Sequence, residues 1–431
     1  MSQDTGRQTN PQSSHAVSAA NREDYSFVFA GGGTGGHLYP GIAVAEALKD
    51  RLGGPAEIAW GATPRAVDRR LLQGFGDNYI VQKVTLLKRN PLTWPAFYSA
   101  WRQSCKYWRH HLSERRTAAI LALGGYAAGP AAYVGRRMGI PVGLLNPDAL
   151  PGLANRFLMG QVNCVFAQWA MDDSYSQKFS SRIQSIGCPI RNNLWSLPRD
   201  QGIRRLGLAA NRRTLVVTGA SLGARSINEA MVELRQDADF LRMLDTPVGE
   251  LAGWQVLLLT GMDQAGIIKA AMAAGPPRPG AKDYSADHWH LLDYCDDMAA
   301  VWAVADLTIA RSGAGTCAEL AACGVPSILI PYPFHRDQHQ AANARKLQAA
   351  DAAVLLTDQL NAAKNAAGLK SVLAGLLPDI SRLNSMAENA RKQGKPGAAY
   401  VVADWLIEQA RKRPINMASR DVASGGSRTG I

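Results

Sequence analysis

Gly31-Gly32-Gly33-Thr34-Gly35-Gly36 sets five glycines in one turn, and His37 follows at once. A turn so poor in side chains leaves backbone N–H groups bare at the start of the next helix. At the positive end of the helix dipole, such amides cradle a phosphate or diphosphate. The run satisfies G-x-G-x-x-G, but a nicotinamide site also needs an acid ending the second strand, about 20 residues on. That strand ends Ala59-Trp60-Gly61, with no acid, and no Lys-Ser/Thr pair follows the glycines as it would in a Walker loop. What remains is an anion cradle or a tight turn. The imidazole of His37 is then either a general base near neutral pH or a cap on that turn.

The second half repeats the arrangement. Gly219-Ala220-Ser221-Leu222-Gly223 follows an apolar run and precedes a helical one, so Ser221 offers its hydroxyl to a phosphate or caps the helix. Arg311 to Glu319 leaves another apolar run. The two oxygens of Glu319 suit a ribose diol, while Thr316-x-x-Glu319 is equally the pattern of a capping box. The stretch from Ile330 to Gln340 gathers hydrogen-bonding groups, His339 and Gln340 among them, at a strand end where a sugar or nucleotide would bind. The acid pair Asp172-Asp173 has no nearby His or third carboxylate, and Asp296-Asp297 stands just before a helix, as a cap would. No cofactor and no protein-built metal site is expected.

For these loops to serve one reaction, the elements carrying them must bring them together. Apolar runs at Ser26–Ala30, Glu57–Trp60, Ala119–Leu123, Val142–Leu145, Cys164–Ala167, Leu215–Thr218, Gln255–Thr260, Leu307–Ala310 and Ser327–Ile330 alternate with helical stretches. That alternation means parallel sheets wound by right-handed crossovers. Strand, glycine turn and helix occur twice, so the fold class is α/β with two Rossmann-like domains whose strand ends face across a cleft. The expected division is a disordered lead over 1–24, a first domain over 25–188, a linker over 189–213, a second domain over 214–395, a helix over 396–413 and a disordered tail over 414–431. A length of 431 residues calls for more than one core, and 47% apolar with 19% charged residues excludes a wholly disordered or fibrous chain. Six scattered cysteines without a C-x-x-C pair fit a reduced, cytoplasmic protein. No apolar run nears the ~20 residues of a membrane span, so neither a transmembrane nor an exported protein is expected.

The net charge of +12 is concentrated. From Lys83 to Arg116 eight Lys/Arg face one acid, Glu114, and the tail from Arg411 is basic as well. Leu87, Trp94, Phe97 and Trp101 lie inside the first basic segment. Apolar side chains rimmed by cations suit a peripheral face on an anionic membrane; the same aromatics could instead pack a helix into the core. No recognition-helix, RNP or zinc motif accompanies the charge, so nucleic acid is not an expected partner.

Taken in order, Gly31 to His37, Leu123-Gly-Gly-Tyr-Ala-Ala-Gly-Pro130, Pro151-Gly-Leu-Ala-Asn155, Gly187-Cys-Pro-Ile-Arg191, Gly219 to Arg225, Asp296-Asp-Met-Ala-Ala300, Arg311 to Glu319 and Asp337-Gln-His-Gln340 resemble the peptidoglycan glycosyltransferases that add N-acetylglucosamine to a lipid-linked muramyl-pentapeptide. The resemblance spans roughly residues 26 to 407. It implies a GT-B fold and an inverting transfer from UDP-N-acetylglucosamine to the 4-hydroxyl of the muramyl sugar, lipid I becoming lipid II. Around the donor it implies Glu319 at the ribose, Ser221 and Arg191 at the diphosphate, and Ala314, His339 and Gln340 at the uridine-sugar region, with Thr34, Gly35, Gly36 and Asp148 also in reach. Gly33 to His37, Tyr126 and Asn155 would meet the acceptor and its diphosphate, with His37 the catalytic base. It also implies a peripheral enzyme on the cytoplasmic face of the plasma membrane, with other cell-wall synthesis proteins as partners.

One departure stands out. The family usually carries His-Glu-Gln-Asn before its Pro-Gly-Leu-Thr-Asn, and the same positions here read Leu145-Asn146-Pro147-Asp148. Asp148 keeps an acceptor but not the amide donor, which bears on donor-sugar contact or acceptor selectivity. The alternatives are a related glycosyltransferase acting on diacylglycerol and a lipid-binding relative without activity.

Overall fold

The computed structural model describes residues 26–75, 79–85, 90–219, 223–274, 288–334 and 337–412. Leu87, Ser221 and both expected disordered ends lie outside the described residues. The first half forms β1 (Ser26–Gly31), β2 (Glu57–Ala62), β3 (Tyr79–Val81), β4 (Thr117–Gly124), β5 (Val142–Asn146), β6 (Cys164–Ala167) and β7 (Ile183–Ser185). The second forms β8 (Arg213–Thr218), β9 (Trp254–Leu259), β10 (Trp289–Leu292), β11 (Ala305–Ala310), β12 (Ser327–Leu329) and β13 (Ala353–Leu355). The sheets run β3-β2-β1-β4-β5-β6-β7 and β10-β9-β8-β11-β12-β13, and every pairing is parallel. Strand order reverses between β1 and β4 and again between β8 and β11. In open α/β sheets those switch points are where ligands bind. Each expected strand is present, and the two sheets are the two Rossmann-like halves of a GT-B fold.

Burial explains the apolar strands. Phe27, Val28 and Phe29 on β1 and Leu215, Val216 and Val217 on β8 are wholly buried because helices cover both sheet faces. Helix Gly35–Leu52 packs Leu38, Ile42 and Leu48 onto the first sheet, and Trp60 sits edge-on to Phe29 at 5.1 Å between centroids.

The chain crosses between the halves twice. Residues 189–213 contain helix Arg199–Leu206, which docks on the second half: Arg199 Nη1 donates to the Val304 carbonyl at 2.7 Å and Nη2 to Asp306 Oδ2 at 2.8 Å. Helix Ala398–Lys412 returns to the first half. Its Val402, Leu406 and Ile407 join the core beside helix Gly35–Leu52, and Arg51 bonds Asp404 at 2.8 Å. Burying three such side chains stabilises the return by roughly 1.5–3 kcal/mol each.

Helix Trp94–Glu114 is amphipathic and sorts the aromatics of the basic segment. Trp108 is fully buried, with Nε1 donating to Gln82 Oε1 at 2.7 Å. Trp101 leans over Gly129, where any side chain would collide with it, and lies 5.9 Å from the Tyr133 ring. Phe97 stacks on Trp101 at 6.1 Å, whereas Leu92 (87% exposed), Trp94 (52%) and Tyr98 (58%) face outward. Trp101 therefore belongs to the packed side of the expected membrane face, and Trp94 to the open side. No described helix is long and apolar enough to cross a membrane.

Candidate functional site

Between the carboxyl ends of the two sheets lies a cleft of about 1400 Å³. That exceeds the roughly 300–1,000 Å³ of a pocket for one small ligand. Thr34, Gly35, Gly36, His37, Tyr126, Asp148, Asn155, Arg191, Ala314, Glu319, His339 and Gln340 all line it. Residues scattered over three hundred positions of sequence thus meet on one surface.

Gly33 does not line the cleft. Its N–H donates to both oxygens of Asp68 at 2.9 Å, and the same carboxylate accepts from Thr63 N at 2.8 Å and Thr63 Oγ1 at 2.7 Å. The expected contact of Gly33 with a diphosphate is thereby corrected: a buried carboxylate of the protein already fills that amide. Asp68 also demands the glycines, since Gly32 and Gly33 have φ of +144° and +88° and a Cβ on Gly32 would strike the carboxylate. The open part of the cradle is the helix start itself, where the amides of Gly35 and Gly36 have no acceptor among the described residues.

His37 lies flat against the end of β4. A Cβ on Gly124 would come within 3.1 Å of its Nδ1 and one on Gly125 within 3.1 Å of its Nε2, and both glycines hold φ above +70°, at +98° and +73°. Nδ1 is enclosed beside the Leu123 backbone at the end of β4, which leaves Nε2 as the nitrogen available to the cleft. Burial lowers the imidazole pKa from its ordinary value, against the opposing charges of Asp148 and Asp68, so the ring is neutral near pH 7, as a base must be. Asn155 braces the same turn. Its Oδ1 accepts from Gly125 N at 3.3 Å, while its Nδ2 donates to Leu145 O at 3.2 Å and Asn146 Oδ1 at 2.9 Å. Both amide hydrogens are thus committed to the fold, and Asn155 acts on the cleft by holding the backbone under His37.

On the opposite wall, helix Ala314–Cys323 begins after Gly313, which makes no side-chain cap bond. Thr316 and Glu319 stand inside the helix, so the capping-box pattern is not used as one. Glu319 Oε2 accepts from Trp302 Nε1 at 2.8 Å, leaving Oε1 for a ligand hydroxyl. Burial pushes this carboxyl above the usual range, with the Trp302 bond and the charge of Arg191 acting the other way. Arg191 stacks over the Tyr39 ring at 5.5 Å. Gln340 Oε1 accepts from Tyr332 N at 2.8 Å, and its carbonyl accepts from Ser312 Oγ at 2.8 Å. His339 Nδ1 pairs with Asp337 Oδ1 at 2.9 Å.

Beneath this loop sits Arg311, a hub to which the sequence reading gave no role. It bonds Asp358 at 2.8 Å, Ser226 Oγ at 2.8 Å and the carbonyls of Ile330 and Pro331 at 3.0 and 3.1 Å. Asp297 caps helix Met298–Val304 by accepting from Ala300 N at 3.1 Å, as expected of that acid pair. Among the described residues no group of three or more His, Cys, Asp or Glu could hold a metal ion.

The two walls touch at a polar seam. Tyr39 and Tyr294 share a hydrogen bond of 3.3 Å. Asn343, fully buried on helix His339–Ala349, bridges the halves: its Oδ1 accepts from Ala149 N at 2.8 Å, and its Nδ2 donates to Asp148 Oδ1 at 2.9 Å and Ser312 O at 3.2 Å.

Comparison with known proteins assigns a family to each half. The family model described as glycosyltransferase family 28 N-terminal domain matches residues 27–167, and that described as glycosyltransferase family 28 C-terminal domain matches residues 214–402. The chain is 31% identical to the UDP-N-acetylglucosamine–N-acetylmuramyl-(pentapeptide) pyrophosphoryl-undecaprenol N-acetylglucosamine transferase of Halothermothrix orenii, over 89% of this chain and 99% of the relative. It is 33% identical to the protein of the same name from Acidothermus cellulolyticus, over 89% of this chain and 97% of the relative. Among solved structures, Acinetobacter baumannii MurG superposes with a TM-score of 0.64 at 25% identity, over 89% of this chain and 99% of that one. A UDP-GlcNAc 2-epimerase from Neisseria meningitidis bound to UDP-GlcNAc shares the fold, with a TM-score of 0.57 at 13% identity, over 89% of this chain and all of that one.

Proposed function

We infer the reaction from one premise: the chain belongs to glycosyltransferase family 28, and within it to the transferases that add N-acetylglucosamine to N-acetylmuramyl-(pentapeptide) pyrophosphoryl-undecaprenol. It transfers N-acetylglucosamine from UDP-N-acetylglucosamine to the 4-hydroxyl of the lipid-linked muramyl sugar, turning lipid I into lipid II in peptidoglycan synthesis. The observation that carries this reading is the pairing across one cleft of two helix starts, at Gly35-Gly36 and Ala314-Gly315, with the Glu319 carboxylate on one wall and the His37 imidazole on the other.

In this reading the donor lies against the second half. Oε1 of Glu319 accepts from the ribose, while the amides at Ala314 and Gly315 and the Arg191 guanidinium face the diphosphate. His37 Nε2 takes the proton of the acceptor hydroxyl as its oxygen bonds to C1 of the sugar from the face opposite UDP. The C1–O bond to the β-phosphate breaks, and UDP leaves with the electron pair. Negative charge then grows on the diphosphate, where preorganised helix amides and a cation stabilise it most. Gly35 and Gly36 are the amides available to the acceptor diphosphate.

The acceptor is held in a bilayer, and the exposed Leu92, Trp94 and Tyr98 beside Arg102, Lys106 and Arg109 support a peripheral seat on the anionic cytoplasmic face of the plasma membrane. The test is UDP release by the purified protein with UDP-N-acetylglucosamine and a polyprenyl-diphosphate muramyl-pentapeptide, with diacylglycerol as the rival acceptor. Turnover only with the muramyl acceptor is expected. Turnover with diacylglycerol, or acceptor binding without UDP release, would overturn the assignment.

A further inference from the structure

Where the resembling family carries an amide, this chain carries the carboxylate of Asp148, and the structure shows what holds it. Asn343 grips Asp148 from the other half of the molecule, Nδ2 on Oδ1 at 2.9 Å, while its own Oδ1 secures the next amide, Ala149 N, at 2.8 Å. Asp148 Oδ2 takes no hydrogen bond among the described residues and is left to the cleft that His37 shares. A second chain of contacts joins the same residue to the seat of His37: Asn146 Nδ2 donates to the Asp148 carbonyl at 2.9 Å, Asn155 Nδ2 to Asn146 Oδ1 at 2.9 Å, and Gly125 N, under the imidazole, to Asn155 Oδ1 at 3.3 Å.

We propose that Asp148 is a positioning residue for His37, and that Asn343 couples this task to the docking of the two halves, so that the carboxylate is fixed in the shared cleft only when the cleft is assembled. The inference rests on the proposed reaction only in taking His37 as the proton acceptor. Its electrostatic basis is a competition. Burial favours the neutral ring, and a fixed carboxylate favours the imidazolium that forms as the hydroxyl loses its proton. Among the described residues, the charges that act on His37 are those of Asp148, Asp68 and His339. Asp68, from helix Ala66–Leu72, is already spent on Gly33 and Thr63, and His339, from the opposite half, is paired with Asp337. Asp148 is the strongest of the charges that raise the imidazole pKa.

The experiment follows the His37 imidazole directly, by NMR titration of histidine-labelled full-length protein, with His37→Gln to assign the signal. Asp148→Asn keeps an oxygen for Asn343 and removes only the charge. It is expected to lower the His37 titration midpoint by about half a pH unit or more. The acid limb of the kcat–pH profile should move the same way, and kcat should fall roughly tenfold or more with a smaller change in donor KM. Asn343→Ala, which keeps the carboxylate but frees it, should produce part of the same shift. An unmoved midpoint in folded Asp148→Asn protein overturns the inference, whatever the activity. A midpoint that moves in protein with no transferase activity would leave it standing and overturn the proposed reaction instead. Should Asp148→Asn melt well below the parent, the midpoint in Asn343→Ala decides alone.

Discussion

Gly33 gives its amide hydrogen to Asp68, 35 residues further along the chain, at 2.9 Å from each carboxylate oxygen. The glycine loop is therefore shaped from inside by a protein anion before any ligand anion arrives. Asp68→Ala would strand the Gly33 and Thr63 donors in a buried place, at about 1–3 kcal/mol for an unsatisfied group. A drop in melting temperature together with a raised acceptor KM is expected; unchanged values for both would show that the loop holds its own shape.

Glu319→Ala should weaken binding of UDP and of UDP-N-acetylglucosamine, measured by calorimetry, by roughly tenfold or more. Glu319→Gln keeps an oxygen toward Trp302 and should fall between the two. Donor affinity equal to that of the parent in both variants would remove Glu319 from the ribose.

Gly125→Ala brings a methyl to 3.1 Å from His37 Nε2 at a φ of +73°. The backbone strain costs on the order of 1 kcal/mol, but the displaced ring should cost far more in kcat than in thermal stability. A proportionate loss of both would mean that the seat of the imidazole does not matter to turnover.

The pH dependence has a definite sign. A base works deprotonated, and burial lowers the His37 pKa below its ordinary value of 6.5, so deprotonated His37 persists to more acid pH than a free imidazole would. The acid limb of kcat is therefore expected to have its midpoint below 6.5. An acid limb centred above 6.5 would contradict this environment.

Trp94 and Trp101 should part ways in experiment. Trp94→Ala is expected to reduce sedimentation with vesicles containing anionic lipid and leave the melting temperature nearly unchanged. Trp101→Ala, which opens a gap over Gly129, should lower stability by about 3 kcal/mol or more. Equal vesicle binding by the parent and Trp94→Ala would dismiss the proposed membrane face.

The long strands were legible because Phe27 to Ala30 or Leu215 to Val217 leave no polar face, which only a doubly covered sheet allows. The strands β3, β7, β10 and β13 were not, for they hold three or four residues each at or near sheet edges, too few to show a period. Of the site residues named from local runs and from the resemblance, Thr34 to His37, Tyr126, Asp148, Asn155, Arg191, Ala314, Glu319, His339 and Gln340 share one surface, whereas Gly33 turns to Asp68. What escaped is whatever depends on distant partners. Asp68 and Asn343 sit in unremarkable helical stretches, and the bond of Asn343 to Asp148 spans 195 positions. The Thr316 and Glu319 pattern misled in the other direction: the helix starts at Ala314, which puts both residues inside it.

The returning helix Ala398–Lys412 has a consequence for biogenesis. The core that seats the glycine loop and His37 includes Val402, Leu406 and Ile407, so it cannot be completed until the final stretch has left the ribosome. Throughout synthesis the first half waits with an open apolar flank on helix Gly35–Leu52, while the second half can close around its own sheet. A fragment ending before Ala398 should therefore be expressed as an aggregation-prone species rather than as an independent acceptor-binding module.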